Sequence, residues 1–171
     1  FNGGAHANNK IDIQEFMIVP NEKLPYSDGL RLSAEVYQNL KAVLKNKGYS
    51  TAVGDEGGFA SDLSSNEEVL TIIAQSLERI GLQVGSDISL ALDCAASEFF
   101  RHEKYELKGI GKSLSSRQMI EYLASLCKKF NVSSVEDPFS ESDWKAWSEF
   151  TREMTNLQIV GDDLFLSLIH I

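Results

Sequence analysis

Three apolar segments of the sequence each end in carboxylate residues. The segments are ISLALD (88–93), VSSVED (132–137) and LQIVGDD (157–163). If they are parallel strands, their carboxyl ends share one rim, and this rim is where active sites form in (β/α) barrels. The first acids reached are Asp93, Glu136 and Asp162, and oxygen donors without Cys or His suit a hard cation such as Mg²⁺. We therefore predict that these three residues bind a metal ion.

Each acid also has a simpler explanation, because an Asp that follows a strand often caps the next helix. Asp137 and Asp163 lie one residue further into their loops and are the better candidates for caps. Three acids at the same point of successive strands are harder to explain in this way than one. The pattern favours a metal site and leaves the capping roles open.

Two loops rich in glycine or asparagine carry further candidates. In TAVGDEGGF (51–59), glycines flank Glu56, and glycine allows a backbone to approach a ligand closely. The alternative for Glu56 is a solvated acidic turn. In NGGAHANNK (2–10), His6 is a lone histidine, a type of residue that is usually incidental. Glu15 interrupts an apolar run, which fits either a carboxylate at the rim or one face of an edge strand.

Hydrophobic periodicity predicts the elements that position these residues. Helices are expected over 30–47, 66–80, 115–130 and 143–154, and strands over 14–19, 88–93, 132–135 and 157–160. Residues 101–114 are irregular or hairpin-like. Asn66 is expected to cap the second helix, whereas Ser115 and Gln118 match a capping box for the third. From residue 88 on, strands alternate with helices, which predicts right-handed crossovers and a parallel sheet.

The composition is that of a globular domain with an acidic surface. The chain has 171 residues, of which 43% are hydrophobic, and 25 acidic against 16 basic residues give a net charge of −9. This charge argues against binding to a nucleic acid backbone, although a bound metal would still allow an anionic substrate. We expect no membrane span, because no apolar run reaches about 20 residues. Cys94 and Cys127 lie in apolar patterns, which indicates reduced thiols and a cytoplasmic setting.

Taken together, these residues resemble the enolase family. The matching blocks are NGGAHANNKIDIQEFMIVP (2–20), VGDEGGFA (53–60), LALDCAASEFF (90–100), SVEDPFSESDW (134–144) and IVGDDL (159–164). They occur in the order of the family and at about its spacing, and they cover residues 1–165 nearly end to end. Five long blocks in order make the match far more specific than any one short motif.

The resemblance implies an α/β fold, namely a truncated, partial TIM-type (β/α) barrel of the enolase superfamily, whose first turn departs from the usual pattern. It implies phosphopyruvate hydratase activity, a carbon–oxygen lyase reaction that reversibly dehydrates 2-phosphoglycerate to phosphoenolpyruvate in glycolysis. It also implies Mg²⁺, a homodimer and a cytoplasmic location, although some enolases are also found at the cell surface or secreted.

The resemblance also implies roles for individual residues. Asp93, Glu136 and Asp162 correspond to the metal-binding acids, and the last two also belong to the substrate site. Glu56 corresponds to the acid that protonates the departing hydroxyl, for which it must hold a proton near neutral pH, as nearby carboxylates such as Glu15 would favour. His6 and Glu15 correspond to residues of the substrate site.

The match breaks after GDDLF (161–165). The lysine base of the family and its later substrate residues have no counterpart in the matching blocks. We therefore expect an internal piece of a longer protein that has no measurable dehydratase activity alone. We interpret residues 1–165 as an incomplete C-terminal barrel domain and residues 166–171 as a sequence artefact outside the family.

Two other functions stay open. The chain could belong to another Mg²⁺-dependent barrel enzyme of the superfamily, one that abstracts a proton next to a carboxylate. The GDEGGF loop together with NGGAHANN instead favours enolase proper and a phosphorylated three-carbon substrate. A non-catalytic surface protein that binds plasminogen is the alternative from a different class, and nothing in the sequence points to such a site.

Overall fold

The computed structural model describes residues 1–166, which form helices around a four-stranded sheet and a smaller three-stranded sheet. The strands are β1 (Glu15–Pro20), β2 (Ile88–Asp93), β3 (Phe100–Arg101), β4 (Lys104–Leu107), β5 (Lys112–Leu114), β6 (Val132–Glu136) and β7 (Gln158–Val160). The α-helices are α1 (Tyr26–Asn46), α2 (Asn66–Arg79), α3 (Ser116–Phe130), α4 (Trp144–Glu153) and α5 (Asp163–Leu166). Short 3₁₀ turns cover Gly4–His6 and Ala96–Phe99.

The larger sheet has the strand order β1-β2-β6-β7. β2, β6 and β7 are parallel to one another, which confirms the arrangement predicted from residue 88 on. β1 is antiparallel to β2, so the first residue of β1, Glu15, lies opposite the last residue of β2, Asp93. Within residues 1–166 the sheet stays open, and this mixed α/β half-barrel fits the predicted truncated barrel.

The smaller sheet confirms the hairpin alternative for residues 101–114. β3, β4 and β5 form an antiparallel meander in which Tyr105 of β4 is fully buried. The Tyr105 ring packs against Phe99, Phe100 and Phe139, with centroid distances of 6.2, 4.7 and 6.1 Å. Because Phe139 belongs to the segment after β6, this aromatic cluster ties the small sheet to the rim of the large one.

The core lies between the large sheet and the helices that cover it. Fully buried side chains come from α1, α2, β2 and α3, and each contributes about 1.5–3 kcal/mol by leaving water. They include Leu44, Leu70, Leu77, Leu90, Leu92 and Leu123. Ile80, the last residue of the predicted second helix, is 40% exposed because α2 ends one residue before it, at Arg79.

The amino-terminal ends of α1 and α2 differ from the prediction. α1 begins at Tyr26 rather than at Leu30, directly after Pro25. The cap of α2 is Ser65, whose Oγ accepts a hydrogen bond from the Glu68 amide at 3.2 Å, so the prediction that Asn66 is the cap was wrong. The predicted capping box at the start of α3 is confirmed.

Asn66 is instead the first residue of α2, and its side chain makes long-range contacts. Its Oδ1 accepts a hydrogen bond from the Ile13 amide at 3.2 Å, and its Nδ2 donates to the Tyr122 hydroxyl at 3.0 Å. The residue therefore fastens the segment before β1 to two helices. Among the described helices, none is both long enough and apolar enough to cross a lipid bilayer.

Candidate metal and substrate site

The predicted acids of β2 and β6 lie side by side at the rim of the sheet. Asp93 is in register with Glu136, and Glu136 is in register with Val160 of β7. Neighbouring strands lie about 4.8 Å apart, so the two carboxylates start from adjacent positions. Asp162 follows two residues beyond Val160 and is exposed, whereas Asp93 and Glu136 are half-buried. The parallel topology thus brings the three predicted ligands to one end of the sheet.

The antiparallel strand β1 adds Glu15 and His6 to this rim. Glu15 lies opposite Asp93 in the strand register. The Glu15 Oε1 atom is 3.2 Å from Nδ1 of His6, and the two side chains are 22% and 28% exposed. The predicted substrate residues therefore contact each other and adjoin the predicted metal ligands.

The Asp93 carboxylate is held by two neighbours. The Gln14 side-chain amide donates a hydrogen bond to Oδ2 at 3.1 Å, and the Ala95 amide donates to Oδ1 at 3.0 Å. Asp93 therefore also stabilises the turn that follows its strand, but it does not cap a helix, because the next 3₁₀ turn has Ala95 at its cap position and no side-chain cap bond. Sequence reasoning missed Gln14, although its position next to Glu15 at the start of β1 could have indicated it.

The carboxylates of the rim lie close together and are partly buried, and both conditions disfavour their charged forms. Burial raises the pKa of Asp93 to about 6, although the hydrogen bonds from Ala95 and Gln14 act in the opposite direction and lower it. Burial and, to a smaller extent, the charges of nearby carboxylates together raise the pKa of Glu136 to about 7. These carboxylates are Asp93, Asp137, Asp162 and Glu15. Like charges held together in this way are stabilised by a cation, which favours a metal at the rim.

A different set of acids has the shortest mutual distances. Asp137, Asp162 and Asp163 each offer a ligand atom within 4.8 Å of the other two, among the residues that the structure describes. The predicted ligands Asp93 and Glu136 are not members of this group. Only Asp162 belongs to both sets, so it lies where the two acidic groups meet.

The chemistry of the donors fits Mg²⁺. The donors at the rim are carboxylate oxygens, and a hard divalent cation prefers such ligands. Repulsion holds carboxylates apart, and a divalent ion would replace that repulsion by attraction to a common centre. That Asp93, Glu136 and Asp162 hold the ion stays a prediction.

The predicted capping roles of Asp137 and Asp163 are partly wrong. The helix that follows β6 is capped by Asp143, whose Oδ1 accepts a hydrogen bond from the Ala146 amide at 3.2 Å. Asp137 accepts instead from backbone amides after β7. Asp163 is the first residue of α5, where a negative charge is favourable near the helix amino terminus.

The loop that carries Glu56 lies against the loop that carries His6. The Asp55 amide donates a hydrogen bond to the backbone oxygen of His6 at 3.1 Å. Buried Asn2 accepts from the Gly58 amide through Oδ1 at 2.8 Å, and its own amide donates to the Phe59 oxygen at 2.9 Å. Glu56 itself is exposed. Its role as a proton donor stays a prediction, and sequence reasoning missed Asn2 as the residue that fixes its loop.

A Gly58→Ala substitution is expected to displace this loop and lower the free energy of unfolding by about 1–3 kcal/mol. An added Cβ would lie 2.8 Å from Asn2 Oδ1 and 3.1 Å from the Asn2 amide nitrogen. Urea unfolding would measure the change. Gly29→Ala in α1 is the matched control, because its Cβ would meet only Pro20 at 3.4 Å and alanine favours a helix. Equal or greater stability for Gly58→Ala would contradict the prediction.

The stability of the metal-free chain is expected to fall as the pH rises from about 4 to about 7. The pKa values of Asp93 and Glu136 are raised in the folded chain to about 6 and about 7, so in this window the folded state binds more protons than the unfolded state. This contribution is complete below the unfolded values and is lost as both carboxylates ionise. Urea unfolding at several pH values, with and without Glu136→Gln, would measure it. An identical slope in both proteins would contradict the assignment to this rim.

A comparison with protein families extends over almost the whole chain. A family model described as "Enolase, C-terminal TIM barrel domain" matches residues 1–170. The match includes all the rim acids and both loops. Of the predicted artefact at 166–171, residues 167–171 lie outside the described residues, and that interpretation stays a prediction.

Proposed function

Because the chain belongs to the enolase C-terminal TIM barrel family, we propose that it provides the metal ligands and the proton donor for the reversible dehydration of 2-phosphoglycerate to phosphoenolpyruvate. The observation that carries the proposal is the strand register that sets Asp93 beside Glu136 and opposite Glu15. A phosphopyruvate hydratase, which is a carbon–oxygen lyase, needs such a concentration of carboxylates. A place in glycolysis, a cytoplasmic location and a homodimer belong to the same proposal.

The acids of the rim have one shared task. Asp93, Glu136 and Asp162 would hold Mg²⁺, which when bound stabilises the negative charge that develops on the substrate carboxylate. The half-burial of Asp93 and Glu136 keeps water from screening these charges fully, so their attraction for a cation is stronger than on an open surface.

The His6 and Glu15 pair would orient the substrate. Glu15 contacts Nδ1 of His6 at 3.2 Å, which fixes the ring and leaves Nε2 to contact a polar group of the ligand. Glu15 is also opposite Asp93, so a ligand held by His6 would lie next to the carboxylates of the rim.

Glu56 would donate the proton that the departing hydroxyl requires, because hydroxide is a poor leaving group. The loop of Glu56 is anchored to that of His6 through the bond from the Asp55 amide. This contact supports the proposal, because it puts Glu56 and His6 on adjacent loops. An exposed carboxylate on a glycine loop can move toward a bound ligand without loss of core packing.

Ligand binding tests the proposal more directly than turnover. We expect 2-phosphoglycerate to bind in the presence of Mg²⁺, as measured by calorimetry, and His6→Asn to weaken that binding about tenfold through the lost polar contact. His102→Asn is the matched control, because His102 is an exposed residue in the turn between β3 and β4. Binding that is independent of Mg²⁺, or equal losses from both substitutions, would refute the proposal.

A further inference from the structure

The side chain of Asp137 is bound to backbone from a distant part of the sequence. Its Oδ1 accepts a hydrogen bond from the Asp162 amide at 3.0 Å, and its Oδ2 accepts from the Asp163 amide at 2.7 Å. Both carboxylate oxygens are therefore engaged by the segment that follows β7. The residue is only 3% exposed.

The backbone of Asp137 joins the ends of three strands. Its amide donates to the Val160 oxygen of β7 at 3.0 Å, and its carbonyl accepts from the Ala96 amide, after β2, at 3.1 Å. Its φ angle is +39°, a left-handed conformation that Asp adopts more readily than most residues. The geometry turns the side chain away from its own strand, toward the loop that carries Asp162.

These contacts give the Asp137 carboxylate a structural task within the acidic group. Asp137 belongs to the group of three acids with ligand atoms within 4.8 Å of one another. Each Asp137 oxygen accepts one backbone amide proton and keeps a second lone pair, so the test must separate positioning by Asp137 from direct ligation. Amide bonds to a carboxylate are charge-assisted and hold the loop in one conformation.

We infer that Asp137 is a positioning residue for the predicted metal ligand Asp162, which it holds beside Glu136 by binding the Asp162 and Asp163 amides. The role of Asp162 as a metal ligand rests on the proposed function, whereas the anchoring of the loop by Asp137 does not. Asp162 is exposed and lies beyond the end of β7, so the strand ladder alone does not fix its side chain. The hydrogen bonds that Asp137 accepts fix the backbone from which the Asp162 side chain extends.

An Asp137→Asn substitution tests the inference. It keeps the size of the side chain but replaces one carboxylate oxygen, which accepts a hydrogen bond from a backbone amide, with an NH₂ group, which can only donate. Hydrogen exchange of the Asp162 and Asp163 amides is expected to become at least about tenfold faster. Affinity for Mn²⁺, used as a probe for Mg²⁺, is expected to fall about tenfold, as is usual when a residue that orients a ligand is lost. Glu103→Gln, an exposed charge in the turn between β3 and β4, is the control and should change neither quantity.

A double-mutant cycle separates positioning from other roles. If Asp137 acts through Asp162, adding Asp137→Asn to an Asp162→Asn chain should leave the Mn²⁺ affinity within about twofold. A further tenfold loss in that background would mean direct ligation or general damage, and would overturn the inference. Unchanged hydrogen exchange in Asp137→Asn would overturn it as well.

Two further results keep the inference testable. If the unsubstituted chain does not bind Mn²⁺, the proposed function fails, while hydrogen exchange alone still decides whether Asp137 anchors the loop. If Asp137→Asn does not fold, Asp163→Pro provides a second test. It removes the Asp163 amide that donates to Asp137, and Asp163 is the first residue of α5, a position where proline is tolerated. Asp163→Asn is then the control that keeps the amide, and equal Mn²⁺ affinities in that pair would overturn the inference.

Discussion

Replacing Glu136 with Gln is expected to weaken Mn²⁺ binding by about 100-fold and, at neutral pH, to stabilise the metal-free chain. Glu136 is the middle one of the three predicted ligands, in register with Asp93 on one side and with Val160 on the other. Its affinity for a cation comes from a full negative charge, which an amide of the same shape lacks. Loss of the central carboxylate should therefore remove most of the binding energy of the site.

The same charge makes Glu136 unfavourable when no metal is bound. Burial and four neighbouring carboxylates raise its pKa to about 7, so near neutral pH its ionised form opposes folding. Gln removes that repulsion and keeps the volume. A single substitution should thus move metal affinity and metal-free stability in opposite directions, which a substitution that merely damages packing would not do.

Calorimetric titration with Mn²⁺ and urea unfolding in a chelator would measure the two effects. Glu103→Gln is the matched control, because Glu103 is an exposed residue of the turn between β3 and β4. It should leave both the affinity and the stability within experimental error. An unchanged Mn²⁺ affinity in Glu136→Gln, or a loss of metal-free stability, would remove Glu136 from the metal site.

The proximity of Asp93 and Glu136 could be predicted from the sequence, because it depends only on the direction of the strands that carry them. Apolar segments that alternate with amphipathic helices imply parallel strands, and parallel strands place their carboxyl ends on one rim. Asp93 and Glu136 follow from that rule alone, and the register confirms their proximity. Their roles as ligands stay a prediction.

Other parts of the site depend on contacts that no local pattern encodes. The sequence around β1 does not indicate its antiparallel direction, which puts Glu15 opposite Asp93. Asp137 binds amides 25 and 26 residues further along the chain, whereas capping rules consider only the next helix. The role of Asn2 likewise depends on Gly58, 56 residues away.

Helix ends show the same limit on a smaller scale. Ser65 and Asn66 are both good capping residues, and only the tertiary contacts of Asn66 with Ile13 and Tyr122 decide between them. Trp144 belongs to the predicted fourth helix but is 63% exposed, because it lies in the first turn, on the side away from the core. Periodicity located the helices, while long-range packing determined which residues they bury.

An Asp143→Ala substitution is expected to lower the free energy of unfolding by about 3 kcal/mol, with about 0.5–2 kcal/mol from the lost cap of α4. The Asp143 Oδ2 atom also accepts hydrogen bonds from the Tyr105 hydroxyl at 2.9 Å and from Ser116 Oγ at 2.5 Å. Tyr105 is fully buried, so leaving its hydroxyl without this acceptor costs a further 1–3 kcal/mol or so.

A cycle with Tyr105→Phe separates the cap from the buried network. The Tyr105 hydroxyl also accepts a hydrogen bond from the Ser140 amide at 3.1 Å, so the network fixes the loop between β6 and α4. In a Tyr105→Phe chain the cost of Asp143→Ala should shrink toward that of the cap alone, with a coupling of about 1–2 kcal/mol. Thermal and urea unfolding of the four proteins would measure the coupling. Additive effects would mean that water replaces Asp143 at the hydroxyl and would contradict the predicted coupling.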